Sequence, residues 1–203
     1  MIIPAPPLIL ASGSPYRQAL LARLGLAFRA IAPELDESAL AGEKPLDSAL
    51  RLAQAKAESV AKQHPGALVI GSDQVACLHG KPIGKPGNHA NALAQLQAMR
   101  GQQVAFHSAL CLLDTRHNHV DLQIDVVTVQ VLFRDLPNAE LDAYLRIEQP
   151  YDCAGSAKNE GLGIALLEKI ESSDPTALTG LPLISLTSML RRAGVTFFQG
   201  SSI

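Results

Sequence analysis

Cysteine, net charge and long apolar runs are all scarce in this chain. The three cysteines, Cys77, Cys111 and Cys153, are odd in number, far apart and without C-x-x-C spacing, which argues against a disulfide framework and fits a reduced, cytoplasmic setting. A net charge of −2 gives no general attraction for nucleic acid or for a membrane surface, so any anion site has to be local. No apolar run approaches the roughly 20 residues that span a bilayer. The apolar start, Met1 to Pro7, lacks a basic region and is broken by three prolines, unlike a signal peptide. The six histidines are scattered, with no H-E-x-x-H pair and no cysteine at zinc spacing, and His117 and His119 only share a polar loop. Walker P-loop, Rossmann glycine fingerprint and G-x-S-x-G elbow are missing too.

What is present is an ordinary globular composition, 203 residues with 47% apolar and 18% charged, enough for one substantial domain or one core with a smaller lobe. Residues 8–11 read as a buried strand that turns into a helix at Pro15. Ser14 is a good N-cap, Pro15 suits the first helical position, and Gly25 ends the run. Residues 27–32 read as a second strand, and an acidic loop with Glu34, Asp36 and Glu37 follows. From about Leu46, the positions Leu46, Leu50, Ala53, Ala57 and Val60 keep helical spacing, with Lys56 at the edge of the stripe. The continuous apolar run 67–71 predicts a central strand, 75–86 a hairpin, and 88–100 an amphipathic helix. Strands are predicted over 104–114 and 122–133, the second with a period of two in Val127, Val129, Val131 and Phe133. A helix over 138–147, a short strand at 164–167 and a last helix over 183–192 complete a mixed α/β pattern.

Asp73 follows directly on the central strand, where open α/β sheets gather catalytic groups. There it can take a proton from water or hold a divalent cation, although a turn aspartate bonding its own backbone explains the residue equally. The start of the first helix collects N–H groups and partial positive charge. With the Ser12 and Ser14 hydroxyls and the Arg17 guanidinium it suits phosphate, and an ordinary capped helix start has the same appearance. Lys56 either looks into a cleft or is a solvated surface lysine, whereas Lys85 stands on a stiff Gly-Lys-Pro turn. Together Arg17, Lys56 and Lys85 would supply positive charge for a polyphosphate, with Asp73 and the acidic loop for metal and water activation.

Five stretches carry a resemblance. Ala11-Ser12-Gly13-Ser14-Pro15-Tyr16-Arg17, Pro33-Glu34-Leu35-Asp36-Glu37, Gly71-Ser72-Asp73-Gln74, Gly84-Lys85-Pro86 and Ala154-Gly155-Ser156-Ala157-Lys158-Asn159-Glu160-Gly161 occur in the order and spacing of the Maf-like nucleotide pyrophosphatases. The chain resembles that family over nearly its whole length. The resemblance implies an inosine-triphosphate-pyrophosphatase-like α/β fold, a mixed twisted sheet with flanking helices, with residues 1–203 forming a single domain of two lobes and a cleft. It also implies a divalent metal, Mg²⁺ or Mn²⁺, and hydrolysis of a nucleoside triphosphate to the monophosphate and pyrophosphate. Residue by residue, the proton acceptor falls on Asp73, the phosphate-binding groups on Ser12, Arg17, Lys56 and Lys85, and the acidic residue near the metal on Glu37. The partner implied is a small nucleotide rather than nucleic acid or membrane, and a homodimer is left open.

Tyr16, Gln74 and Glu160 match three positions that shape substrate choice, and here they resemble the 7-methyl-GTP branch. The dTTP/UTP branch tends to carry arginine, threonine and glutamine there. N7-methylation leaves guanine positively charged, which an aromatic face and a carboxylate both complement. Tyr16 stands where close relatives carry tryptophan, a stronger face. Hydrolysis of dTTP, UTP or a damaged nucleotide is the neighbouring expectation, and a nucleotide-binding regulator of cell division that no longer turns over is the non-enzymatic one.

Overall fold

The computed structural model describes residues 7–117 and 120–198; the N-terminal stretch through Pro6, and His119, fall outside them. Among the described residues, seven strands form one mixed sheet in the order β2 (Arg29–Ala30), β1 (Leu8–Ala11), β3 (Leu68–Leu78), β5 (Gln103–Asp114), β6 (Asp121–Phe133) and β7 (Leu167–Glu171), with β4 (Lys81–Ile83) on β3. β1 lies between β2 and β3, and these three run parallel. β4, β5, β6 and β7 are added antiparallel. The predicted second strand shrinks to two exposed residues, because β2 is an edge with one neighbour. The predicted strand at 164–167 is instead a 3₁₀ turn, Leu162–Leu166, and the extended chain starts only at Leu167, where β6 offers a partner.

Among the described residues, five α-helices cover the sheet: α1 (Pro15–Ala22), α2 (Pro45–Ala61), α3 (His89–Met99), α4 (Asn138–Glu148) and α5 (Leu183–Arg192). The alternation of side chains along β3 sorts the core. Leu68 and Ile70 pack with Leu8, Leu10, Leu21, Leu186 and Leu190 on the α1/α5 face. Val69 packs with Ile9, Ala49, Ala53, Ala57 and Cys111 on the α2 face. A separate cluster holds the far end of the sheet, where Phe106, Val129, Val131 and Phe133 meet Leu96, Leu141 and Leu145 of α3 and α4.

α2 comes unusually near β3. A Cβ on Gly71 would lie 2.0 Å from the Ala53 carbonyl oxygen, so only glycine on the strand and a stripe of alanines on the helix allow the contact. Among the described residues no helix is long and apolar enough to cross a membrane.

Candidate active site

The sheet opens where β1 stops. β1 pairs with β3 as far as Ala11↔Gly71, and β4 takes up the same side of β3 only from Ala76. Between those points β3 has β5 on one side and, on the other, a cleft of about 720 Å³. The sequence predicts Asp73 just past the end of a strand. In fact β3 continues through it, paired with Ala109, and the strand that ends here is β1. The strand-end rule for α/β sheets therefore holds through the neighbour.

Ser12, Tyr16, Arg17, Glu37, Lys56, Asp73, Gln74, Lys85 and Glu160 all line this one cleft. Ser14 caps α1, its hydroxyl accepting from the Arg17 amide at 3.4 Å, while the Ser12 hydroxyl accepts from the Ser14 amide at 3.1 Å. The N-terminus of α1 thus faces the cavity with its partial positive charge. The Arg17 Nε donates to the Gly180 carbonyl at 2.9 Å, which fixes the plane of the guanidinium. Burial pulls Arg17 below the ordinary arginine range, opposed by Asp73 and then Glu37. It remains a cation.

Lys56 is on the buried stripe of α2 and only 5% exposed, deeper than the edge position its spacing suggests. Its ammonium lies 2.6 Å from Asp73 Oδ1 and 3.0 Å from Glu37 Oε2. The pairing follows from the fold, since Asp73 shares the α2 face of β3 with Gly71, where strand and helix touch. Burial pushes the Asp73 carboxyl above its usual range, with Lys56 and then Arg17 pulling it back and Glu37 adding to the rise. A carboxylate so placed is a stronger base than a free one. Glu37 is half exposed on a loop without regular structure, and Arg51 of α2 anchors that loop by gripping Glu43 at 2.6 and 2.8 Å.

Lys85 is exposed at the cleft, and its turn is held on both sides. Gln95 of α3 donates to the Gly84 carbonyl and Asn91 to that of Pro86, each at 3.0 Å. The Gln95 oxygen also accepts from the Ser156 hydroxyl at 2.6 Å, tying the turn of Lys85 to the segment that leads to Glu160. That segment rests on α4: the Tyr144 hydroxyl accepts from the Lys158 amide, and Glu148 accepts from the Leu162 amide and pairs with the Lys158 ammonium at 3.0 Å.

Gln74 points to the face of β3 opposite Asp73. Its amide nitrogen lies within 2.8–3.0 Å of the Ser108 hydroxyl and the Leu178 and Ala177 carbonyls. The buried Ser72 hydroxyl lies 2.9 Å from the Ala109 and Gly180 carbonyls, and Ser108 donates to Ala177 at 2.6 Å. A loop of residues 177–180 is thereby stapled to β3 and β5 beside Arg17. The sequence reading missed this loop along with Ser72, Gln95, Ser108, Tyr144 and Glu148. Ser72 bonds a residue 108 positions away, and no local pattern signals that.

An α/β sheet interrupted at one strand end, with a buried carboxylate facing a helix N-terminus, an arginine and two lysines, defines a protein built to hold and hydrolyse phosphorylated small molecules. The family model described as "Maf-like protein" matches residues 7–193, and the chain belongs to that family. It is similar to the 7-methyl-GTP pyrophosphatase of Cupriavidus metallidurans, 62% identical over 193 residues that cover 95% of this chain and 96% of the relative. It is also similar to the 7-methyl-GTP pyrophosphatases of Ralstonia nicotianae, at 62% identity over 95% of this chain and 98% of the relative, and of Paraburkholderia xenovorans, at 64% over 93% of each.

Proposed function

We propose that the chain hydrolyses 7-methyl-GTP to 7-methyl-GMP and pyrophosphate. The observation that carries this reading is the company Tyr16 and Glu160 keep: an aromatic ring and an exposed carboxylate line the same cleft as Asp73, Arg17, Lys56 and Lys85. The names of the relatives support it.

In this reading the α1 N-terminus, Ser12 and Arg17 hold the phosphates, and Lys85 meets the charge that gathers on the departing pyrophosphate. Asp73 takes a proton from a water molecule as the water oxygen attacks the α-phosphorus. The bond from that phosphorus to the bridging oxygen breaks, and pyrophosphate leaves. Lys56 keeps Asp73 ionised until then. Tyr16 stacks on the cationic base for about 0.5–2 kcal/mol. Glu160 accepts from the guanine N1–H and exocyclic amine, contacts that a pyrimidine would leave unmade. Gln74 holds the 177–180 loop with its amide nitrogen and lines the cleft, so it shapes substrate choice through that wall and through its remaining carbonyl oxygen.

The donors fit a divalent ion such as Mg²⁺ or Mn²⁺. The Glu37 and Asp73 carboxylates converge on one ammonium, and hard oxygens from one or two carboxylates, completed by substrate phosphates and water, are what Mg²⁺ takes. Among the described residues no group of three or more His, Cys, Asp or Glu forms an all-protein cage. When bound, the ion neutralises charge on the phosphates. A cytoplasmic location is part of the reading, in keeping with three unpaired cysteines.

A pyrophosphate-release assay over 7-methyl-GTP, GTP, dTTP and UTP, with and without Mg²⁺, tests the proposal. The expected result is highest kcat/KM for 7-methyl-GTP, loss of turnover in Asp73→Asn, and loss of selectivity in Glu160→Gln. Release of orthophosphate, or nucleotide binding without turnover, would overturn it, the latter in favour of a regulator.

A further inference from the structure

The loop that carries Glu160 also carries a cation aimed at Tyr16. The Lys158 ammonium sits over the Tyr16 ring, 5.7 Å from its centroid, and pairs with Glu148 at 3.0 Å. Tyr16 lines the cleft, and the Lys158 ammonium also reaches its phenol, so the cation stands at the edge of the ring that faces the base. We infer that Lys158 and Glu148 are specificity-determining residues, a charge pair beside the stacking ring that sets how strongly the cleft distinguishes a cationic base from a neutral one. The inference rests on the reading of Tyr16 as the base platform.

A cationic base stacked on Tyr16 and the Lys158 ammonium beside the same ring repel each other. Glu148 offsets the repulsion because its carboxylate neutralises Lys158. Glu148, and then the Tyr16 phenol, hold Lys158 well above the ordinary lysine range, so the ammonium is permanent at working pH. Both side chains are largely covered, Glu148 12% and Lys158 30% exposed, and the field of each is only partly screened. Removing the lysine leaves a net negative charge beside the ring, and removing the glutamate charge leaves a net positive one. The two changes must therefore move selectivity in opposite directions. With the ammonium 5.7 Å from the ring centroid and a stacked base a further ring spacing away, at about 7–10 Å in all, each is worth roughly three- to tenfold at an intermediate dielectric.

The variants keep the loop in place. Glu148→Gln retains an oxygen for the Leu162 amide, whose hydrogen bond Glu148 now accepts at 2.9 Å, and Lys158→Met retains an unbranched stem. The experiment measures Kd for 7-methyl-GMP and for GMP by calorimetry, a readout that needs no turnover. Relative to wild type, Lys158→Met is expected to raise the preference for the methylated nucleotide about three- to tenfold, Glu148→Gln to lower it by a similar factor, and Lys158→Arg to leave it in place. Equal weakening for both nucleotides, or movement of both variants in the same direction, would mean the pair is only a prop and overturns the inference. If the shifts appear but 7-methyl-GTP is not hydrolysed, the proposed activity fails and the charge effect stands.

Discussion

Gly71→Ala should damage stability and turnover together, through one contact. The new Cβ would lie 2.0 Å from the Ala53 carbonyl oxygen, 2.8 Å from the Ala57 nitrogen and 2.9 Å from the Ala57 Cβ. Two of the three are backbone atoms of α2, so no rotamer change relieves them. Carbon-to-oxygen contacts begin at about 3.3 Å, so the helix has to retreat by about 1 Å. Overpacking of this kind costs roughly 1–3 kcal/mol, and the rigidity of the opposing backbone puts the change at the upper end. Lys56 lies between Ala53 and Ala57 on the same helix, and Asp73 lies two residues from Gly71 on the same strand face. The retreat accordingly stretches the 2.6 Å pair. A displacement of about 1 Å at a reacting group costs on the order of 10²-fold. Urea unfolding should show a loss near 3 kcal/mol, and kcat of the folded fraction should fall about 10- to 100-fold. Gly84→Ala is the control, since a Cβ there meets nothing within 4 Å although Lys85 is next in sequence. Stability within about 0.5 kcal/mol of wild type and an unchanged kcat for Gly71→Ala would refute the reasoning.

Asp73 must be ionised to accept a proton and its carboxyl is held above the usual 3.8, so the acid limb of kcat/KM should fall at a pH above that value; a limb at or below it would contradict the assignment. The stability sign is opposite, because a raised carboxyl binds its proton more tightly in the folded state, and this group alone favours folding more as pH drops through its folded pKa. Glu43 behaves the other way: hydrogen bonding to Arg51 holds it down to about 2, so its support for the 38–51 segment is complete above the usual 4.5 and lost as pH falls toward about 2. Glu43→Gln should therefore free the Glu37 loop, raise KM and speed proteolytic cleavage within 38–43, and unchanged cleavage would count against it. Ser108→Ala should cost about 1–2 kcal/mol in urea unfolding by removing a buried donor to Ala177 and an acceptor for Gln74; a cost below about 0.3 kcal/mol would show that the 177–180 loop does not depend on it.

The sequence made the helices and the long strands legible because their periodicity is local. Val127, Val129, Val131 and Phe133 alternate inward on β6, and Ser14-Pro15 opens α1 at the expected residue. It misjudged Asp73 because Ser-Asp-Gln after an apolar run has the composition of a turn. What keeps the chain extended there is β5, some 36 residues further on, which no window around Asp73 contains. Lys56 shows the same limit. Its place on the stripe was readable, but its depth depends on Gly71 drawing α2 onto the sheet. Apart from Lys56, the cleft residues named from sequence stand in ordered motifs, whereas Gln95, Ser108 and Glu148, which hold them, stand in none, and Ser72 stands in one that says nothing of its partner 108 positions away.

Gln95 has a consequence for how the cavity can adapt. Its amide reaches the Gly84 carbonyl with the nitrogen and the Ser156 hydroxyl with the oxygen, so two walls of the cleft hang on the ends of one planar group of fixed length. Such a group is a spacer and not a spring. The gap between the Lys85 turn and the 154–156 turn is gauged by covalent geometry, and neither wall can part from the other without breaking a hydrogen bond. A larger or smaller nucleotide meets the same width at that point, and discrimination there falls to the chemistry of the lining.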